Sequence, residues 1–220
     1  MGPPPLVIVK LGLQECYFEE VNVKVGPTHR QRQAAATRSQ IAAAARQLFA
    51  ERGYVATTIA AISERADIPV QTVYSALGSK ANILQEVTRL AIEPLAVTKT
   101  WVQAAAGTPE EGLRISAGLQ RRQYEQMYDV VTTHLEGARV DADIARITAG
   151  ILANRERGVG AYLESIAAHL RPRMDAARAL DIYLTLVLPE VYRSLVLERG
   201  WTPTQYETWL GNQLVHQLLR

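Results

Sequence analysis

One group of side chains in the middle of the chain could bind a metal ion: His134, Glu136, Asp141 and Asp143. Two metal ligands on one helix usually stand four residues apart, and this group has no such pair. Aspartate is also a preferred N-cap residue, and Asp141 or Asp143 directly precedes a helical pattern. Helix capping therefore explains these residues better, and we expect no metal site and no cofactor.

The sequence lacks the usual motifs of catalytic sites. It contains no glycine-rich phosphate loop, no Gly-x-Ser-x-Gly elbow and no His-Glu-x-x-His helix. Cys16 is the only cysteine, which excludes an internal disulfide and a cysteine-built zinc site. We expect no catalytic residues and a protein that is not an enzyme.

A second group of polar side chains could bind the edges of bases. Gln71, Thr72 and Ser75 lie on a short segment whose apolar residues are Val73 and Leu77. Amide and hydroxyl groups near the start of an exposed helix can make such contacts in a major groove. Lys80 stands in the first turn of the next helix, where the helix dipole disfavours a cation, and this position suggests a bound anion.

The segment from Thr58 to Leu84 must position these groups. Thr58 can cap a short helix that has Ile59 and Ile62 on one face. Asp67 tolerates a left-handed turn conformation, and Pro69 suits the start of the helix that follows. The pattern predicts two short helices joined by a tight corner, which is a helix-turn-helix; the alternative is an ordinary helical corner of a bundle.

This segment resembles the DNA-binding domain of TetR-type transcriptional repressors over about residues 38–92. The matching residues are Leu48, Phe49, Gly53, Thr58, Ile62, Ala66, Thr72, Val73, Tyr74, Gly78, Ser79, Lys80 and Leu84. The resemblance implies base contacts by Gln71, Thr72 and Ser75, and phosphate contacts by Thr57, Thr58, Tyr74 and Lys80. Where the family often has glycine, serine, glycine, histidine and phenylalanine, this chain has Asp67, Pro69, Gln71, Ala76 and Leu77, so some contacts should differ.

Three regions follow from the pattern. Residues 1–36 are predicted to be a mostly flexible extension, although Val21, Val23 and Val25 alternate as in a strand. Basic residues at its end, together with Arg38, could follow DNA phosphates or could belong to a solvated linker. Residues 37–92 should form the helix-turn-helix domain, with a helix over about 39–52, and residues 93–220 a second domain.

The second domain should be all-helical, because no segment in it has strand character. Pro94 predicts a kink in the long helix that begins at Lys80. Thr108, Pro109 and Glu111 form a capping-box start for the next helical stretch, which we expect to break near residues 120–124. The fold class is therefore all-α, with an N-terminal three-helix domain and a C-terminal helical domain.

Two C-terminal segments are predicted to be helices, one from residue 176 to 197 and a last one that begins with a capping box of Thr202 and Gln205. Both have more apolar residues than one core needs, which favours a homodimer that pairs them across a two-fold axis; the alternative is a deeply buried helix in a monomer. The resemblance also implies dimerisation through the last two long helices. The predicted interface residues are Ile182, Leu186, Tyr192, Val196, Trp209, Leu210, Leu214 and Leu218.

The resemblance further implies a small-molecule cavity in the second domain, for which Trp101, Tyr124, Tyr128, His134 and Tyr162 are candidates, although each could equally be ordinary core. The expected function is a repressor that binds palindromic double-stranded operator DNA and is released by a small-molecule effector. A non-specific architectural DNA-binding protein is the alternative, and an enzyme on a helical bundle comes third.

The net charge of +2 does not by itself indicate nucleic acid. No apolar run reaches the roughly 18 residues of a membrane span, so we expect a cytoplasmic protein without membrane contact.

Overall fold

The helices begin where capping side chains stand. In the computed structural model, which describes residues 28–220, a side-chain oxygen accepts a backbone N–H at the start of most of the longer helices. Thr28, Thr108 and Thr202 form complete capping boxes with Gln31, Glu111 and Gln205. Within this range the α-helices are α1 (His29–Ala56), α2 (Ile59–Ala66), α3 (Val70–Leu77), α4 (Lys80–Ile92), α5 (Val97–Ala106), α6 (Pro109–Gly137), α7 (Ala142–Ser165), α8 (Ala176–Leu186), α9 (Pro189–Tyr192) and α10 (Pro203–Leu218). The predicted all-α class is confirmed.

Helix α1 begins at His29, earlier than the predicted start at residue 39. The capping box of Thr28 supplies a start signal, and residues 29–39 contain no proline or glycine to break the helix. The end of the predicted flexible extension is therefore helical from His29 onward. The rest of that extension, residues 1–27, lies outside the described residues.

The first three helices share one small core. Ile41, Ala45 and Leu48 of α1 are at most 1% exposed and pack with Ile62 of α2 and Val73 of α3. Their burial fixes α2 and α3 on the surface of α1. The two short helices could not be stable alone, because helices of eight residues are marginal in water.

The predicted kink after α4 is confirmed. A 3-10 turn at Glu93–Leu95 includes Pro94, and Ala96 adopts a left-handed conformation with φ 47° before α5 begins. Proline cannot donate the hydrogen bond that would continue α4, so the chain changes direction here.

Two predicted helix boundaries in the second domain are wrong. Helix α6 continues through residues 120–124 and departs from helical geometry only at Met127, where φ is −144°. The C-terminal segment predicted as one helix from residue 176 to 197 is interrupted between Leu186 and Pro189, and a π-helical segment follows at Arg193–Glu198. Pro189 is a good first residue of a helix and a poor interior one, which explains the interruption.

Helix α6 lies at the centre of the second domain. It contacts α5, α7 and α10, and it also contacts α1 and α4 of the first domain. No helix within residues 28–220 is long and apolar enough to cross a membrane.

His134 joins three helices inside this core. It is 5% exposed; its Nε2 lies 2.8 Å from the hydroxyl of Thr88 on α4, and its Nδ1 lies 3.0 Å from the hydroxyl of Thr148 on α7. Because the Thr88 hydroxyl donates to the Leu84 carbonyl, it must accept from His134, so the proton resides on Nε2. Burial lowers the pKa of His134 to about 4.

This burial predicts a loss of stability in mild acid. The folded-state pKa lies below the ordinary value of 6.5, so the unfolded chain binds more protons and the free energy of unfolding falls as the pH drops from 6.5 towards 4. The contribution of His134 over that interval should be roughly 3 kcal/mol. Urea unfolding at pH 7 and pH 4.5 measures it: His134→Leu should lose less stability on acidification than the natural chain, and the exposed His216→Asn should behave like the natural chain. Equal acid sensitivity of His134→Leu and the natural chain would contradict this assignment.

Candidate nucleic-acid interface

The corner between α2 and α3 is fixed by backbone geometry and by two side chains. Asp67 ends α2 in the left-handed conformation, with φ 51°. The hydroxyl of Ser63 donates to the Ile68 carbonyl at 2.5 Å, and the amide of Gln40 on α1 donates to the Ala66 carbonyl at 2.7 Å. These bonds satisfy backbone carbonyls at the end of α2 and set the direction in which α3 begins.

One side of α3 faces solvent. Val73 is 1% exposed and lies on the inner side, Gln71 and Ser75 lie on the opposite side, and Thr72 and Tyr74 lie on the two flanks; all four polar residues are exposed. The Ser75 hydroxyl donates to the Gln71 carbonyl at 2.8 Å and retains its capacity to accept. The structure therefore brings four of the predicted DNA-binding residues to one continuous surface of a short helix.

Thr57 does not belong to this surface. It is completely buried, and its hydroxyl donates to the carbonyls of Leu48 and Gly53 at 3.2 and 2.8 Å. The predicted phosphate contact by its side chain is therefore wrong; Thr57 stabilises the end of α1. Thr58 is exposed, and its hydroxyl caps α2 by accepting from Ala61 N–H at 3.1 Å.

Arg38 lies half-buried on α1, near α4. Hydrogen bonds from Arg89 hold the pKa of Glu86 below its usual value, and the positive charge of Arg38 adds to that effect. The charge of Arg38 therefore interacts with the carboxylate of Glu86 in this chain.

Lys80 has protein partners in place of a bound anion. Its ammonium group donates to the carbonyls of Tyr54 and Thr57 at 2.9 and 3.0 Å and lies 4.1 Å from the centre of the Tyr54 ring. A cation at carbonyls near the end of a helix is favourable, so the unusual position of Lys80 at the start of α4 is explained by the end of α1. Desolvation lowers its pKa, and the charges of Asp141 and Glu136 oppose that shift. Two of the three ammonium protons are engaged, which leaves at most one for a phosphate.

A set of contacts around Tyr54 joins the first domain to the second, and the sequence did not indicate it. The carboxylate of Glu136 accepts the backbone N–H groups of Tyr54 and Val55 at 3.0 and 3.3 Å. The Tyr54 hydroxyl donates to Asp141 at 2.6 Å, and Asp141 also caps α7 through Ile144 N–H. The start of α7 is thereby tied to the end of α1.

These contacts shift the pKa values of both side chains. The hydrogen bond from Tyr54 is the largest cause of the lowered pKa of Asp141. Desolvation is the largest cause of the raised pKa of Tyr54, and the bond to Asp141 adds to it. Tyr54 is therefore a neutral donor to an ionised acceptor at neutral pH, which is the stronger kind of hydrogen bond.

A second contact between the domains lies two turns earlier on α1. Arg46 binds both carboxylate oxygens of Asp129 on α6, at 2.7 and 2.9 Å, and also donates to the Gln126 carbonyl. The bidentate geometry fixes the orientation of the two helices as well as their distance.

The five residues predicted to line an effector cavity fall into three places. Tyr124 and Tyr128 pack together beside Tyr192, with ring centres 5.0 to 5.9 Å apart. Trp101 packs on Tyr162 at 5.4 Å in another part of the domain. His134 is held between threonine hydroxyls as described above. The structure therefore does not bring these five side chains to one cavity.

The predicted dimer-interface residues divide into two groups. Tyr192, Leu210, Leu214 and Leu218 are at most 4% exposed in the single chain, so their prediction as interface residues is wrong. Their side of α10 packs against α6 and fills the core of the protomer. Ile182, Leu186, Val196 and Trp209 are partly exposed, and the nearby Leu188 and Leu197 are 46% and 57% exposed.

The acidic group near His134 is arranged for hydrogen bonding. Both ring nitrogens of His134 face hydroxyl groups, Glu136 binds backbone N–H groups and Asp141 caps α7. Among the described residues no three His, Cys, Asp or Glu side chains are placed to hold a metal ion together. The alternative of a metal cluster at these residues is therefore not supported.

Comparisons with known proteins agree with this geometry. Residues 41–87, which span most of α1, all of α2 and α3, and part of α4, match the model of the tetR family of bacterial regulatory proteins. No curated protein sequence matches the chain significantly.

Several solved structures share the fold. NalD, the secondary repressor of the MexAB-OprM multidrug efflux pump in Pseudomonas aeruginosa, is 17% identical with a TM-score of 0.72, over 85% of this chain and 98% of NalD. SmeT in complex with triclosan is 15% identical with a TM-score of 0.69, over 84% of this chain and 92% of SmeT. A transcriptional regulator described from Saccharomonospora viridis in complex with choline is 17% identical with a TM-score of 0.67, over 84% of this chain and 99% of that protein.

The family match lies in the three-helix unit, which has the arrangement of a helix-turn-helix DNA-binding domain of the tetR family. Together with the helical domain behind it, this unit has the fold of the solved transcriptional regulators named above.

The contacts of Lys80 predict a structural role that is measurable without DNA. Lys80→Met should lower the free energy of unfolding of the free protein by roughly 1 to 2 kcal/mol, because the carbonyls of Tyr54 and Thr57 lose a charged donor. Lys99→Met, at an exposed position on α5, is the matched control and should change little. Urea unfolding of both variants measures the difference. If Lys80 acted only on phosphates, the two variants would be equally stable in the absence of DNA.

Proposed function

We propose that this regulator is a repressor that binds a palindromic operator as a homodimer and releases it when a small molecule binds the second domain. The observation that supports it best is the exposed side of α3, where Gln71, Thr72 and Ser75 stand on a helix fixed from behind by Val73. The likeness to NalD, a repressor, supports the direction of regulation.

Base recognition is assigned to the first turn and a half of α3. Gln71 and Thr72 lie near the N-terminus of the helix, the part that enters a major groove in helix-turn-helix proteins. A glutamine side chain can form two hydrogen bonds with adenine, and hydroxyl groups can bind several bases. Tyr74, Thr58 and Arg38 are proposed to contact phosphates, with a smaller contribution from Lys80.

Selection of binding sites from random duplex DNA tests the proposal directly. A two-fold dimer places its recognition helices about one DNA turn apart, roughly 34 Å, so a palindrome should emerge. A non-specific architectural protein, the alternative function, would yield no preferred sequence. Operator affinity measured with and without a bound small molecule then tests release; a molecule that binds the second domain and leaves operator affinity unchanged would contradict effector control.

Gln71 should determine part of the sequence preference. Gln71→Ala should lower discrimination at one position in each half-site by roughly 1 to 3 kcal/mol and leave the salt dependence of binding nearly unchanged. The same selection experiment measures the preference, and Gln103→Ala on the exposed side of α5 is the control. An unchanged selected sequence for Gln71→Ala would remove Gln71 from the interface.

The partly exposed apolar side chains of the C-terminal helices support the proposed dimer. Ile182, Leu186 and Val196 lie on α8 and the π-helical segment, and Trp209 lies on α10 with its ring 6.3 Å from that of Trp201. Aromatic and aliphatic side chains left partly exposed on adjacent helices are typical of subunit interfaces. Pairing of two such surfaces across a two-fold axis would cover them.

Leu197 provides a test of this surface. Leu197→Glu should convert the dimer to a monomer and weaken operator binding, because a buried unpaired carboxylate would be required in the interface. Val102→Glu on α5 is a matched control, since Val102 is 58% exposed and Leu197 is 57% exposed. Sedimentation equilibrium measures the association state. A dimer that persists in Leu197→Glu, or dissociates equally in Val102→Glu, would contradict the assigned surface.

Small-molecule control has support from the relatives and from the domain contacts. SmeT and the Saccharomonospora viridis protein have been crystallised with triclosan and with choline, respectively. In this chain, a rearrangement of α6 or α7 would act on the first domain through Glu136 and Asp141. To raise the released state from 1% to 99% of the molecules, the small molecule must bind that state about 5.5 kcal/mol more tightly than it binds the operator-binding state. The absence of enzymatic activity, the cytoplasmic location and the domain boundaries at residues 37–92 and 93–220 stay predictions.

A further inference from the structure

A cleft separates the recognition helix from the second domain. It has a volume of about 700 Å³ and lies between α3 and α4 on one side and α7 on the other. Sites for small molecules generally have volumes of roughly 300 to 1,000 Å³. None of the aromatic residues predicted to line an effector cavity lies in its wall.

The facing walls of the cleft are apolar. Tyr74 and Leu77 come from α3, and Ile147 and Ile151 come from α7. Tyr74 is 48% exposed and the other three are partly exposed, so none of them is covered by the protein core. A flat apolar molecule between these walls would remove further surface from water.

Carboxamide side chains supply polar groups of the cleft. Asn82 and Gln85 lie three residues apart on α4, and their side chains have no hydrogen-bond partner among residues 28–220. Asn154 on α7 is 5% exposed, and its Oδ1 accepts from Arg157. Carboxamide groups in the wall of a cleft can both donate to and accept from a ligand.

The charged groups of the cleft have partners already. Arg89 binds both carboxylate oxygens of Glu86 at 2.8 Å, and Arg146 pairs with Asp143 at 3.1 Å. A charged ligand would have to leave water, and within the cleft the charges of Arg89 and Glu86 already compensate each other. The lining therefore favours a neutral ligand.

We propose that this cleft is a binding site for a neutral, planar, largely apolar molecule with a carboxamide-like donor and acceptor. Its aromatic or alicyclic body lies between Tyr74 and Ile147, and its polar end binds the amides of Asn82, Gln85 and Asn154. Binding at this site requires neither an operator nor a dimer, so it can be tested apart from the proposed repressor function, although its wall includes Tyr74, which is also proposed to contact a phosphate.

Three isosteric probes test the proposal on the full chain: 2-naphthamide, which is neutral, 2-naphthoate, which is an anion, and 2-naphthamidine, which is a cation. Side-chain amide NMR signals of Asn82, Gln85 and Asn154 are followed during titration. The neutral amide should shift these signals and bind about tenfold more tightly than either charged probe. No shift with 2-naphthamide, or equal affinity of a charged probe, would overturn the assignment.

Gly150 offers a matched pair of variants. It lines the cleft, and a Cβ added there meets no atom within 4 Å. Gly150→Ala should retain binding of 2-naphthamide, whereas Gly150→Trp should fill the cleft and weaken binding at least about tenfold. Circular dichroism of both variants verifies folding. Unchanged binding in Gly150→Trp would place the probe elsewhere and overturn the proposal.

A third variant keeps the test decisive if Gly150→Trp does not fold. Gln85→Glu, at an exposed position, removes one amide donor and should weaken 2-naphthamide binding about fivefold. Gln103→Glu on α5 is the control and should leave binding unchanged. Equal affinities of these two variants would contradict the amide contacts.

Discussion

The contact between the end of α1 and the end of α6 determines how the two domains are arranged. Glu136 can reach the N–H groups of Tyr54 and Val55 only because the chain turns at Gly53, where φ is 77°. A Cβ at Gly53 would lie 2.8 Å from both oxygens of the Glu136 carboxylate. Glycine is thus required here for its conformation and for the approach of the carboxylate. Each hydrogen bond to the charged group contributes about 1.5 to 3 kcal/mol, which is a large part of the roughly 5 to 15 kcal/mol that separate folded from unfolded chains.

Around this contact, Lys80, Tyr54 and Asp141 each have a partner of suitable charge or hydrogen-bonding capacity. Lys80 binds carbonyls at the end of α1, Tyr54 binds Asp141, and Asp141 caps α7. These contacts connect the first turn of α4 and the start of α7 to the end of α1. Helix α3 is different, because it is held by the first domain and faces the second across an open cleft. The exposed surface of α3 is therefore fixed relative to α1. Its position relative to α7 depends on the contacts that α1 and α4 make with the second domain.

The features that depend on local chemistry could be predicted from the sequence. Asp67 at the corner, the capping boxes of Thr108 and Thr202, and the kink at Pro94 all follow from residues whose conformational preferences are strong, and all are confirmed. The exposed face of α3 was also predictable, because Val73 and its polar neighbours differ clearly in hydrophobicity.

Features that depend on distant residues were not predictable in the same way. Thr57 and Lys80 have the residue types of phosphate ligands, but their partners are carbonyls that only the tertiary fold brings near. Likewise, leucines spaced along α10 have the same pattern whether they pack on α6 or on another subunit, and burial in the chain decides between these possibilities. The aromatic residues proposed for one cavity separated into three groups, because composition carries no information on which helices meet.

The sequence separation of the Tyr54 contacts has a consequence for synthesis of the chain. Tyr54 and Asp141 are 87 residues apart, and Arg46 and Asp129 are 83 apart. At 5 to 20 residues per second, a ribosome needs roughly 4 to 20 seconds to make the intervening segment. During that time the three N-terminal helices have left the ribosome while the carboxylates that complete the end of α1 have not yet been made. The DNA-binding unit of a nascent chain must therefore persist for seconds with the backbone donors of Tyr54 and Val55 bound to water, and it reaches its final stability only after the middle of the second domain has been synthesised.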